Sequence, residues 1–318
     1  MTALATAPTA HPRPARASRA VLRLHRPALI SWGFFVAVIS AVLLWAYGPG
    51  GNAAGAAWQR KCTVDLCDVG YAVDTYHLTY RFSEAAVDFL PVLVALWAGS
   101  MLIGRELENG TAELAWSQSV SPTRWLAAEL AVPAVLLTAG TTLLGLLHRL
   151  LFDAHQVPKG WNWSDSGTFE ANGPIAIAYP LLGLALGALA GLIARRAVPG
   201  LIGGILATAS ATTLIDMAGP HLVPWKISVG DLKEGYAAPS GVIHGGEGAV
   251  TSTGAHIPDP CTGAGKACPA AHDIVGYYSE YHPSSQFWAL QLTQTALILT
   301  VAALATAAAF TLLRRRTS

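Results

Sequence analysis

The 318-residue chain is 53% hydrophobic and 12% charged, with a mean hydropathy of +0.42 and a formal net charge of +1. A soluble domain carries roughly 25% charged residues, so an ordinary water-soluble enzyme is excluded. With 20 basic against 19 acidic side chains, no nucleic-acid-binding surface can be assembled either, and the composition is that of a polytopic membrane protein.

A helix needs about 20 largely apolar residues to cross a hydrocarbon core of roughly 30 Å. The first such window is 27–47, preceded by a basic segment, 1–26, with Arg13, Arg16, Arg19, Arg23 and Arg26. Small residues follow the window, as at a leader cleavage site. Its apolar core of about 20 residues nevertheless exceeds the 7 to 15 of a leader, so an uncleaved signal anchor is expected. The basic segment reads either as an ordinary positive-inside tail or as an interfacial helix drawn to anionic lipid. A loop, 48–84, carries Cys62 and Cys67 before the second window, 85–104, which Asp88 and Pro91 interrupt. The third window, 125–152, has Arg149 near its end, and a loop, 153–172, leads into the fourth, 173–194.

The fourth window repeats Gly183, Gly187 and Gly191 at i, i+4, i+8, which bares one helical face to a neighbouring backbone. The fifth window, 197–218, opens with Gly200 and Gly204, and only Arg195 and Arg196 separate the two, so a tight antiparallel hairpin is expected. A loop, 219–286, then carries Cys261 and Cys268. Rich in Gly, Pro, His and Tyr, it is long for a connector. The sixth window, 287–313, begins with the polar stretch Gln291, Thr293, Gln294 and Thr295, suited to line a cavity or tie helices together, and ends on Arg314, Arg315 and Arg316.

Lys and Arg concentrate on the cytoplasmic side of short loops. With both termini inside, the inner segments hold the five N-terminal arginines, Arg105, Arg124, Arg195, Arg196 and the C-terminal cluster. The longer outer loops hold only Arg60, Lys61, Arg81, Lys159, Lys226, Lys233 and Lys266. Trp32, Trp45, Trp125 and Trp288 fall near window ends, where amphipathic rings favour the interface. All four cysteines lie on the outer, oxidising side. Two local pairings, Cys62 with Cys67 and Cys261 with Cys268, are expected, although four cysteines allow three connectivities. Their C-x4-C and C-x6-C spacings lack the tight C-x-x-C of a zinc knuckle. The outer histidines His77, His155, His244, His256, His272 and His282 are scattered, so solvated loop positions are expected and no metal site. Asp88, Arg149 and Asp216 project to the outer end of their windows. Arg149 is placed to pair with either carboxylate, as a structural ion pair or as part of an outer gate.

The inner loop, 105–124, is the densest mixed-charge stretch. Asn109-Gly110 reads as a helix stop, Thr111 as an N-cap and Ser121-Pro122 as an N-cap with proline at the first helical position. A short helix over 112–118 follows, flanked by Leu114 and Trp116 and surrounded by Arg105, Glu106, Glu108, Glu113 and Arg124. Apolar anchors inside a polar rim are what docking to a soluble partner requires. A membrane-anchored connector without a partner is the plainer reading.

Three blocks of the chain resemble the actinobacterial ABC type-2 transporter permeases. The first is Leu96-Trp97-Ala98-Gly99, then Arg105-Glu106-Leu107-Glu108-Asn109-Gly110-Thr111, Leu114-Ala115-Trp116-Ser117-Gln118-Ser119-Val120 and Thr123-Arg124-Trp125-Leu126. The second runs from Phe169-Glu170-Ala171-Asn172-Gly173-Pro174 through Tyr179 to Arg195-Arg196 and Pro199. The third is His282-Pro283 with Phe287-Trp288 and Gln291. The resemblance implies an all-α fold of six transmembrane helices with cytoplasmic termini, residues 27–318 forming one permease domain in the plasma membrane. It implies a dimer of permease protomers docked on two ABC ATPase subunits, with ATP and Mg on those partners and no cofactor in this chain. It assigns coupling to Arg105, Glu106, Glu108, Gly110, Thr111, Glu113, Trp116, Gln118 and Arg124. The loop 219–286 is expected to hold short re-entrant helices, with Trp225 and the Tyr277-Tyr278 pair as anchors. The cargo expected is a hydrophobic or amphipathic solute.

A self-contained ATPase would carry G-x-x-x-x-G-K-[ST]. The nearest stretch, Gly263-Ala264-Gly265-Lys266-Ala267, has Pro260 at the first glycine position and Ala267 in place of the hydroxyl residue. No nucleophile elbow and no H-E-x-x-H pair is present either, and His148 beside Arg149 reads as a satisfied or solvent-reaching histidine. The competing class is a membrane sensor or scaffold whose outer loops receive a signal.

Overall fold

Apolar windows this long bury their backbone polar groups only as helices. The structure, a computed structural model, describes residues 26–63, 66–67, 70–118, 120–154, 157, 161–261 and 268–317. The basic segment up to residue 25 lies outside that description, as do Ser119, His155, residues 262–267 and the side chains of 61–63, 66 and 67.

Six helical runs are long and apolar enough to cross a membrane: Arg26–Arg60, Gly70–Glu108, Pro122–Ala154, Ile175–Ala194, Ala197–Leu222 and Ser284–Thr317. The first contains α1 (Arg26–Trp45), a π-helical turn (Ala46–Gly50) and α2 (Gly51–Lys61). A small hairpin, β1 (Cys62–Thr63) and β2 (Leu66–Cys67), sets the backbone of Cys62 opposite Cys67, while both thiols lie outside the described residues. The second run holds α3 (Gly70–Asp88), α4 (Leu90–Trp97), a π-helical turn (Ala98–Gly104) and α5 (Arg105–Glu108). Backbone bonds from Phe89 to Ala85 and from Leu93 to Phe89 carry the helix past Pro91, so the interruption expected there is slight. At 1.5 Å per residue these two runs reach about 50 to 60 Å, far beyond the bilayer core. The expected loop 48–84 is therefore largely helix standing clear of the membrane.

The remaining helices are α6 (Thr111–Ser117), α7 (Pro122–Ala154), α8 (Ser166–Ala171), α9 (Ile175–Ala194), α10 (Ala197–Ala218), α11 (Cys268–Ala271) and α12 (Phe287–Thr317). Of the six membrane runs α9 is the most buried and the first the least, so α9 is the axis of the bundle.

What centres α9 is glycine. A Cβ added at Gly183 or Gly187 would collide with the carbonyl oxygen of Pro91 or Ala95, and one at Gly191 would sit 2.8 Å from that of Gly99. Gly200 and Gly204 of α10 meet the Gly99 and Ala95 oxygens from the other side. Three carbonyls at i, i+4, i+8 on the second run thus fit between two glycine strips of the same period. Such approach supplies dispersion and weak Cα–H···O contacts where no hydrophobic driving force separates helix from lipid. The strips were expected to pack α9 on α10; they also clamp α4 between them.

The region 219–286 is a four-stranded antiparallel sheet, not the re-entrant helices expected. Its order is β3 (Lys226–Asp231), β6 (Ile274–His282), β4 (Ile243–Thr251), β5 (His256–Ile257). Strand β6 is rich in β-branched and aromatic residues, which fit a pleated surface better than a helix. The β3–β6 ladder runs from Lys226 opposite Tyr281 to Asp231 opposite Gly276. Cys261 and Cys268 form a disulfide, Cα–Cα 5.7 Å, and Cys261 packs with Ala249 and Ile274 in a small core of its own. Tyr277 and Tyr278 are strand residues, and Trp225 stacks on His282 at 3.8 Å. His282, expected in solvent, is buried and lies 2.8 Å through Nε2 from the Pro220 carbonyl oxygen.

Gly187→Val should cost about 1 to 3 kcal/mol through forced overpacking. Gly33→Ala, with nothing within 4 Å of the new methyl, should instead be neutral or stabilising by about 0.5 to 1 kcal/mol. Thermal melting of the detergent-purified variants checks the pair, and equal melting temperatures would refute the clamp.

Candidate functional site

Two polar regions occupy opposite ends of the bundle. At the end carrying the 105–124 loop, α5 stops at Asn109 and Gly110 adopts the left-handed conformation, φ 70°, which glycine takes without a Cβ penalty. The chain turns and α6 begins at Thr111. Thr111 is the first helical residue and not the N-cap expected: its hydroxyl donates back to the Glu106 carbonyl oxygen at 3.0 Å and contacts Glu106 Oε2 at 2.7 Å. Ser121 precedes α7, with Pro122 at its first position, and Ser121 Oγ accepts the Arg124 amide at 3.4 Å.

Two contacts fasten this short helix to the bundle, and a third fastens α5 just ahead of it. Trp116 meets Trp125 of α7 edge to face, centroids 5.7 Å apart, and packs on the core that contains Leu126, Leu130 and Leu313. Glu113 Oε1 pairs with Arg195 Nη2 at 2.8 Å across the α9–α10 turn. Glu108 Oε2 accepts the Ala197 amide at 2.8 Å, so a carboxylate sits at the positive N-terminal end of α10. Glu108 and Glu113, expected as free rim charges, are therefore engaged within the chain. Glu106 is turned toward Thr111. Glu108 and Glu113 remain exposed, as are Arg105, Leu114 (59% exposed), Gln118 and Arg124.

At the sheet end Asp216 of α10 accepts hydrogen bonds from the Tyr179 hydroxyl and, at 3.2 Å, from Gln294 Nε2. Gln291 Nε2 donates to the Phe169 carbonyl at 2.5 Å. The buried glutamines of α12 thus tie helices together. Arg149 joins neither Asp88 nor Asp216. It pairs with Asp153 one turn on, at 3.0 Å, and its guanidinium lies over the rings of Phe152 and Phe287, because an i,i+4 carboxylate is the nearer partner. Glu170 of α8 is half-buried in the field of both Asp88 and Asp216. Burial pushes the Glu170 carboxyl up to about 8, and the charges of Asp88 and Asp216 add to the rise. Glu170 lies outside every apolar window. His148 is buried and bonds Asn172 Oδ1 through Nδ1 at 3.0 Å.

A family model described as ABC-2 membrane transporter related matches residues 29–218, from α1 to the end of α10 and across the whole 105–124 loop. No curated protein and no solved structure matches the chain.

The Glu170 carboxyl holds its proton in the fold at pH values where the unfolded chain, near 4.5, releases it. Its contribution to stability is thus complete below pH 4.5 and lost as pH rises through about 8. Glu170→Gln should flatten the fall of melting temperature between those limits; an unchanged slope would show that Glu170 does not carry it.

Proposed function

Since the chain belongs to the ABC-2 membrane transporter-related family, we propose that it is the permease subunit of an ATP-driven exporter, coupled to separately encoded ATPase subunits through the 105–125 loop. The observation that supports coupling most directly is the attachment of α5 and α6 at three points. With α6 bound to α7 by Trp116 and to the α9–α10 turn by Glu113, and α5 bound to that turn by Glu108, a push on the loop moves three membrane helices. Through the glycine clamp the push reaches α4 as well.

In this reading two protomers enclose the pathway and two ATPases dock beneath them. Leu114 is the apolar anchor, and Arg105, Gln118 and Arg124 form the polar rim; apolar centre and charged border are the usual division of labour at an interface. ATP and Mg act on the partner subunits. The positive-inside distribution puts α5 and α6 in the cytoplasm and the sheet outside. The cargo is a hydrophobic or amphipathic solute.

Leu114→Asp should reduce co-purification of the ATPase at least tenfold while expression is kept, whereas Arg195→Ala should leave association intact and weaken substrate-stimulated hydrolysis. Full association of Leu114→Asp would remove the docking assignment. In intact cells, a cysteine placed at Thr111 should be protected from an impermeant maleimide and one at Ser252 labelled; the reverse pattern would invert the orientation.

A further inference from the structure

A cavity of about 260 Å³ lies at the sheet end, between α3 and residues 161–168. It is remote from the loop that docks the ATPase. α3 turns His77, Tyr80, Arg81 and Glu84 toward it, at i, i+3, i+4, i+7, one face of a helix. This part of α3 is polar in sequence and precedes the apolar stretch, so the cavity stands in water rather than in lipid.

The walls are built rather than incidental. Tyr80 and Trp161 stack at 3.6 Å with planes 3° apart, and both rings are buried. Thr168 Oγ1 donates to Glu84 Oε1 at 2.5 Å and lies 3.2 Å from the Tyr80 hydroxyl, joining the two walls at the floor. Asp165, at the mouth, spends one carboxylate oxygen on the Asn162 amide at 2.8 Å.

Four bonding positions are left over. Arg81 is exposed at the mouth and has no ion-pair partner among the described residues. His77 Nε2 is buried and bonds no described group. Glu84 Oε2 and Asp165 Oδ1 make no hydrogen bond with any described residue. A solely anionic ligand would meet two carboxylates and a solely cationic one the guanidinium. An apolar ligand would strip water from all three without replacing it. The volume is below the 300 to 1,000 Å³ or so of drug-sized sites.

We propose that this cavity binds a small zwitterion of the α-amino-acid type, its carboxylate held by Arg81 and its ammonium by Glu84. A planar guanidinium takes a carboxylate through two parallel bonds, which fixes orientation as well as charge. Asp165 guards the mouth against anions. The site is independent of the transport reading, since it needs neither the ATPase nor movement of the bundle.

The test is equilibrium dialysis of the full chain in detergent against each standard L-amino acid, with N-acetyl and amide derivatives as single-charge controls. At least one amino acid should bind at about 1 mM or tighter, with both of its derivatives at least tenfold weaker. Arg81→Gln and Glu84→Gln should each weaken it at least tenfold; glutamine at 84 keeps the Thr168 acceptor, and an unchanged unliganded melting temperature establishes that the variants fold. Absence of binding by every amino acid at about 10 mM, equal binding of the derivatives, or undiminished binding by Arg81→Gln would each overturn the proposal. None of these outcomes bears on ATPase association.

Discussion

The bundle depends on one contact type, backbone against backbone. Inside a bilayer, burying a leucine gains little, because lipid is as apolar as the neighbouring helix. Two glycine strips and a row of three carbonyls solve the problem by bringing backbones into contact, with Val94, Leu184 and Leu192 packed beside them. Everything at the two ends inherits its position from that clamp: the α9–α10 turn that receives Glu113 and Glu108, and the Asp216 carboxylate that meets Tyr179 and Gln294.

The ends are built by opposite rules. At the loop end the polar bonds are few, exposed and made by charged side chains, each worth about 1 kcal/mol or less in water, so α6 is secured chiefly by the tryptophan pair and by covalent continuity. At the sheet end Gln291, Gln294, His148, Asn172 and Thr168 are buried and bonded, which is where loss of a partner costs most. The exposed helix α6 sits on the weaker fastening, while the stronger one holds the opposite end together.

Much of the helical frame was legible in the sequence, because apolar length and a four-residue glycine period are signals that no other arrangement produces. The second partner of the glycines was not, since Pro91, Ala95 and Gly99 contribute carbonyls rather than side chains and carbonyls have no letter. The inner helix was found within a residue or so from Asn109-Gly110 and Ser121-Pro122. The bonds of Glu108 and Glu113 to the α9–α10 turn were not legible, because one helix turn cannot tell which neighbour it will meet. The partner of Arg149 was readable, as Asp153 stands four residues on, a closer tie than shared depth in the membrane. The sheet was hidden by glycines that look like linker, although the disulfide that closes its small core was visible from cysteine spacing. Glu170, Glu84 and Thr168 carry no signal of their own; only the fold brings them together.

The short ladder between β3 and β6 has a mechanical meaning. β3 starts four residues past the fifth membrane run, which ends at Leu222, and β6 ends at His282, just ahead of the sixth. Six paired residues therefore stitch the ends of α10 and α12 together immediately above the bundle. Two rods sewn at one tip cannot separate there. Relative motion of these helices is confined to a pivot about the seam, so any widening between them grows toward the end where α6 is attached.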